Sequence, residues 1–143
     1  MSPALVPELG VTDWRRSRDF YCELLGFAVR YERPEEGFSY LTLGTAALMI
    51  DQLDLGRSFG RRLGPVDRPF GRGLNLQIEI PTIAPLIARL CAAGIAPDLA
   101  PEDRWYRRER DEIGQRQCVV ADPDGYLLRF HEILGTRPIE PRG

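Results

Sequence analysis

Two hydrophobic periods follow one another along this chain, and the succession occurs twice. In Leu74–Ile80 the apolar residues Leu74, Leu76, Ile78 and Ile80 recur at every second position, with Asn75, Gln77 and Glu79 between them. A period of two is that of a strand with one face buried. The run before Asp13 reads the same way, with Leu5, Pro7, Leu9 and Val11 on one face and Val6, Glu8 and Gly10 on the other. After each run the apolar spacing becomes helical, through Phe20, Leu24 and Leu25 in the first half and Leu86, Ile87 and Leu90 in the second. Asp13 and Thr82 stand where an N-cap belongs. Gly26 and Gly94, each followed by an apolar residue, end the helices. Further strands are expected over Ala28–Glu32, Tyr40–Leu43 and Gly44–Asp51, and again near Pro97–Ala100, over Cys118–Ala121 and over Gly125–Glu132. Turns at Gly44-Thr45 and at Asp122-Pro123-Asp124-Gly125 join the last strands of each half.

The pattern predicts an α+β fold of two tandem βαβββ modules within one domain, 1–143. The first module is 1–52, the second 74–135, with a linker at 53–73 and a tail at 136–143. The linker is rich in Gly, Arg and Pro, and a stretch that long either is functional or carries a short helix. The strand faces turned away from the helices carry a mixed set: Glu8, Met49, Asp51, Asn75, Gln77, Glu79, Arg129 and His131. One reading is a solvated sheet face. The other is a cleft, which requires two sheets curled towards each other.

Composition narrows the chemistry. With 143 residues, 43% hydrophobic and 28% charged, the chain is an ordinary globular one, long enough to fold without disulfides. No apolar run approaches a membrane span, and Met1–Glu8 lacks the basic and apolar regions of a signal peptide, so a cytoplasmic protein is expected. The net charge of -2 disfavours nucleic acid as partner. Every basic residue is Arg, which excludes a Schiff-base lysine. Cys22, Cys91 and Cys118 have no C-x-x-C spacing and read as reduced thiols.

Val11–Phe27 reads V-T-D-x3-S-x2-F-Y-x3-L-G-F and Asp122–Phe130 reads D-P-D-G-Y-L-L-R-F. With both halves in register, the chain resembles the vicinal-oxygen-chelate superfamily of glyoxalase I, extradiol dioxygenases and fosfomycin- and bleomycin-resistance proteins. The resemblance implies paired βαβββ modules whose mixed sheets curl into a cup. Enzymes of the superfamily hold a divalent metal there through His and Glu. The matching positions here are Val6, Met49, Asn75 and Arg129. None is His or carboxylate, and a permanently cationic guanidinium repels a dication. The resemblance is therefore nearest to the bleomycin-resistance branch, which implies a metal-free homodimer, without cofactor, sequestering a bleomycin-like glycopeptide in clefts between subunits. Glu102–Tyr106 is similar to the aromatic-bearing loop of that branch.

The candidate ligand contacts are Glu8, Met49, Asn75, Gln77, Glu79, Trp105, Tyr106, Arg129 and His131. Trp105 and Tyr106 stack on flat or cationic ligands, or else anchor a loop or a dimer contact. His131 is a base or ligand contact, or a hydrogen-bonded strand-end residue; a Cys118–His131 nucleophile pair requires the two to touch. Glu8 and Glu79 hold a cation or pair with Arg129. Trp14 reads as packing, and Arg57, Arg61, Arg62, Arg68 and Arg72 as a solvated linker. The competing reading is a metalloenzyme with a displaced site built from Glu8, Asp51, Glu79 and His131.

Overall fold

The computed structural model describes residues 3–57 and 59–139. It divides into two compact units. The first runs to Gly73 and takes in Asp122–Tyr126; the second comprises Leu74–Ala121 and the chain from Leu127. Each unit holds one four-stranded mixed sheet, so the architecture is the α+β pair of βαβββ modules that the periodicity predicts.

In the first unit β1 (Glu8–Val11), β4 (Ala46–Gln52), β3 (Phe38–Leu43) and β2 (Ala28–Arg33) lie side by side in that order. β1 runs parallel to β4 and the other pairs are antiparallel. One face of the sheet carries Leu9, Val11, Leu41, Leu48 and Ile50, all buried. Helix α1 (Trp14–Asp19) covers it. Asp13 caps α1 as expected, its Oδ1 accepting from the Arg16 N–H at 3.2 Å. Trp14 is core, its Nε1 donating to Ser39 Oγ at 2.7 Å. The helix continues as a π-helical turn, Phe20–Leu24. This extra residue in the turn rotates the buried stripe: Tyr21 and Leu25 are buried, whereas Phe20 and Leu24 are half-buried. Gly26 then takes φ 85°, the left-handed exit the sequence signals.

The second unit repeats the order with β5 (Asn75–Glu79), β8 (Leu127–Pro138), β7 (Asp111–Ala121) and β6 (Leu99–Arg108). Ile78, Leu128, Phe130, Cys118 and Val120 are buried under helix α2 (Ala84–Ala92), which contributes Leu86 and Leu90. Thr82 does not cap this helix. The N–H of Ile83 donates instead to Glu132 Oε1 at 3.3 Å, so a strand side chain does the capping.

Three strands outrun their predicted limits. β6, β7 and β8 form a long antiparallel array in which Arg108 pairs with Asp111 and Asp111 with Pro138. The segment expected as an aromatic-bearing loop is thus the strand β6, and much of the expected tail is the end of β8; 140–143 lies outside the described residues. Period two is hidden in β6 because it is an edge strand, and edges carry charge on both faces against unwanted pairing.

The Asp-Pro-Asp-Gly turn packs in the first unit. Asp124, 1% exposed, accepts from the Thr12 N–H at 3.0 Å, the Thr12 hydroxyl at 2.7 Å and the Arg68 guanidinium at 2.9 Å. Asp122 accepts from the Tyr21 hydroxyl at 2.9 Å and from the N–H groups of Asp124 and Tyr126. The Tyr126 hydroxyl donates to the Gly10 carbonyl at 2.9 Å. Both sequence motifs of the resemblance therefore meet in one structural clasp. Gly125, at φ 95°, completes it, because a Cβ there would stand 2.5 Å from Pro69. The linker Leu53–Gly73 follows turns and has no helix among its described residues. It lies against β1, where a Cβ on Gly10 would meet Leu53 at 2.7 Å.

Candidate ligand-binding face

Register decides which side chains share a face. In the first sheet Glu8 pairs with Met49, Gly10 with Asp51, Phe38 with Asp51 and Tyr40 with Met49. These residues point away from α1. A cavity of about 400 Å³ opens on them. Phe38 and Phe59 are its aromatic walls and Met49 lies between; Glu8, Glu36 and Asp51 bring carboxylates, Arg33 and Arg57 guanidiniums. Each aromatic wall is faced by an arginine: Arg33 lies 4.0 Å from the Phe38 ring centre and Arg57 5.1 Å from that of Phe59. Arg33 is also held by Glu36 at 2.8 Å. Behind Phe38, Tyr31 stacks on Tyr40 with centroids 5.1 Å apart. An aromatic surface with carboxylates beside it attracts a planar or cationic group.

The second sheet is built on the same register with other chemistry. Asn75 pairs with Leu127, Gln77 with Arg129 and Glu79 with His131. Arg129 donates to the Gln77 side-chain oxygen. Gln117, opposite His131 on β7, donates to the Tyr106 hydroxyl at 2.6 Å and to Glu102 at 3.2 Å. His131 is buried, its Nε2 3.8 Å from Glu79 Oε1. Burial holds its pKa below the usual histidine range; Glu79 opposes that shift and Arg129 adds to it.

The structure places Glu8 and Met49 together in the first unit, and Asn75, Gln77, Glu79, Arg129, His131 and Tyr106 on one face of the second sheet. Trp105 is elsewhere. Adjacent strand residues point to opposite faces, so Trp105 points away from Tyr106. It rests on Gly114, where a Cβ would stand 2.7 Å from the indole, and beneath Arg137 at 4.2 Å. Alternation also separates Cys118 from His131. Cys118 pairs with Phe130 on the helix-covered face, where burial pushes its thiol up to about 11. A Cys–His nucleophile pair is not built. Sequence reasoning missed Phe38, Tyr40, Tyr31, Arg33 and Phe59. Phe38 and Tyr40 were legible, since Phe38, Tyr40 and Thr42 alternate with Ser39, Leu41 and Leu43; Phe59 sits in the linker and gave no periodic signal.

The residues at the four positions that the resemblance matches to metal ligands do not fit a dication. Val6 has no donor, Met49 offers only a thioether, Asn75 a neutral amide and Arg129 a positive charge. No group of three or more His, Cys, Asp or Glu side chains able to hold a metal occurs among the described residues. Among the described residues no helix is long and apolar enough to cross a membrane.

Comparison with known proteins agrees with the fold. The family model "Glyoxalase/Bleomycin resistance protein/Dioxygenase superfamily" matches residues 5–130. A bleomycin resistance protein of Geobacillus stearothermophilus is 26% identical over 136 residues, covering 89% of this chain and 94% of its own. Among solved structures, TioX from Micromonospora sp. ML1 superimposes with a TM-score of 0.68 at 23% identity, over 93% of this chain and 100% of its own. A virulence protein from Salmonella typhimurium does so with a TM-score of 0.64 at 21% identity, over 92% and 98%.

Proposed function

We propose that this chain, which belongs to the glyoxalase/bleomycin resistance protein/dioxygenase superfamily, is a metal-free binding protein that sequesters a small planar or cationic molecule of antibiotic type. The observation that carries the reading is a substitution of chemistry at fixed addresses. The positions matched to the family's metal ligands hold residues that do not chelate, and the cavity over the same sheet face in the first unit is walled by Phe38 and, from the linker, Phe59, with Met49, the carboxylates of Glu8, Glu36 and Asp51 and the guanidiniums of Arg33 and Arg57. A site so composed grips a flat cation and has no group poised to activate one. The similarity to bleomycin resistance proteins supports a glycopeptide of that kind as the ligand. On the second sheet Asn75, Gln77, Glu79, Tyr106, Arg129 and His131 are the hydrogen-bonding contacts of the reading. Trp105 is a packing residue in it. The working form is a homodimer whose second copy completes the cleft, since isologous pairs are the commonest soluble oligomers.

Thermal melting with bleomycin and phleomycin tests the ligand. At about 100 times its dissociation constant a ligand adds roughly 2.7 kcal/mol, a rise of several degrees for a chain of this size. No rise with either drug removes the named ligand. Elemental analysis of the purified protein tests the chemistry: the expected content of Zn, Fe, Mn and Ni is far below one per chain, and a stoichiometric metal overturns the reading. Light scattering tests the dimer.

A further inference from the structure

The two aromatic walls of the first-unit cavity are held in different ways. Phe38 is buried at the start of β3, paired with Arg33 on one side and Asp51 on the other. Phe59 is 51% exposed and comes from the linker, outside the strands. Its position depends on where the linker rests, which is on the short turn Pro34–Glu36 and on Gly37 after it. Two successive linker residues, Leu55 and Gly56, meet two successive residues there. A Cβ on Gly37 would stand 2.9 Å from Leu55 Cδ2. A Cβ on Gly56 would stand 2.8 Å from Glu36 Cβ, 3.0 Å from the Glu36 carbonyl oxygen and 3.3 Å from its Cα. These atoms cannot swing aside as the end of a long side chain can, so the linker itself would have to move. Gly56 is not in the left-handed region, so glycine serves here by leaving room for a close approach.

The same contact joins the two walls. Glu36 holds Arg33 at 2.8 Å, and Arg33 covers the Phe38 ring at 4.0 Å. Gly56 is followed by Arg57, which faces the Phe59 ring at 5.1 Å. Beyond Phe59 the segment is tied back by Arg61, whose Nε donates to Asp54 at 2.9 Å. We infer that Gly56 is a positioning residue: its close seat on Glu36 sets Phe59 relative to Phe38 so that the cavity selects a flat cation over a puckered one of equal charge. The inference rests on the function proposed above and names the shape that the site selects. A flat ring touches both walls at once, and dispersion contacts weaken steeply when a small gap opens. A small displacement of the linker therefore costs a flat ligand most.

Calorimetry on the whole chain tests this with two amidinium ions, flat benzamidinium and its saturated counterpart cyclohexanecarboxamidinium. The parent is expected to bind benzamidinium about tenfold tighter than the saturated ion. Gly56→Ala is expected to weaken benzamidinium about fivefold and the saturated ion less than about twofold. Phe59→Leu is expected to remove the preference. In that background Gly56→Ala is expected to change benzamidinium affinity less than about twofold, because the two residues act through one wall. Equal affinity of the parent for the two ions overturns the inference and leaves the binding function standing. So do equal losses for both ions in Gly56→Ala, or losses that add in the double variant. If Gly56→Ala does not fold, Phe59→Leu decides alone, and a preference retained in it overturns the inference. Failure of benzamidinium to bind the parent at all overturns the proposed function and the inference with it.

Discussion

The two sheets are one backbone plan used for two surfaces. Each has a parallel pair at one side and antiparallel neighbours beyond it. The pairings that define the helix-free face correspond one to one. Where the first sheet sets Glu8 against Met49, the second sets Gln77 against Arg129; where the first sets Phe38 against Asp51, the second sets Gln117 against His131. The first face is thus aromatic with carboxylates, and the second a ladder of amide, guanidinium and imidazole. On the opposite faces the chemistry converges, since both bury aliphatic residues under a helix. Hydrophobic burial leaves little choice there, whereas nothing in the backbone fixes what the other face presents.

The largest break in this comparison comes from the clasp of the first unit. Asp124→Ala removes the acceptor of the Thr12 N–H and hydroxyl and one of the two acceptors of Arg68, which keeps Thr12 Oγ1, and is expected to cost about 3 kcal/mol, allowing for the half-exposed Arg68; denaturant melts measure it. Carrying a residue from one sheet to its address in the other tests the faces themselves. Met49→Arg, which gives the first sheet the residue found at Arg129, is expected to weaken binding of a planar cation by about a hundredfold, roughly 2.7 kcal/mol of like-charge repulsion. Unchanged affinity for benzamidinium in that variant means the first face is not the binding face.

The pH dependence of stability should come from both units, at opposite ends of the scale. The folded pKa of His131 lies below its unfolded value of about 6.5. The unfolded chain therefore takes up the proton first, so stability falls as pH drops below about 6.5, and His131→Gln should flatten that limb. Tyr126 is pushed up to about 12, chiefly by burial, with Asp122 and Asp124 adding to it. Its contribution is intact below the unfolded value of about 10 and lost as pH rises through the folded one. The smallest effect should come from Trp105→Ala. It is expected to cost about 1 kcal/mol of stability, through the lost indole packing and the Arg137 contact, while changing benzamidinium affinity less than twofold. A tenfold loss of affinity would restore Trp105 to the site.

Much of this fold was legible because its signals are local. Alternation in 74–80, the Asp13 cap and the glycines at positions 26 and 94 each report the conformation of a few neighbouring residues. The misses have equally local causes. Thr82 has the right chemistry for a cap, but Glu132 reaches the helix end from another strand. The charges of β6 hide its alternation. For the site, alternation grouped Gln77, Glu79, Arg129 and His131 correctly on one face, and Glu8 with Met49 and Asp51 on another. It could not supply Phe59, which a turn-rich linker carries to the cavity.

By itself the sequence determined the two βαβββ modules and the buried stripes. Those follow from residue type and from periods set by backbone geometry, whereas the match of Val6, Met49, Asn75 and Arg129 to metal positions is what the family resemblance implies. Tertiary structure decided what the motifs are for and which aromatic residues meet a ligand. Asp122 and Asp124 became a clasp because folding brings them to Thr12, Tyr21 and Arg68, and Phe38 and Phe59 line one cavity because the linker carries Phe59 to it. Contacts between residues far apart in the chain depend on how the intervening segments turn, which neither the period nor the composition of either segment encodes.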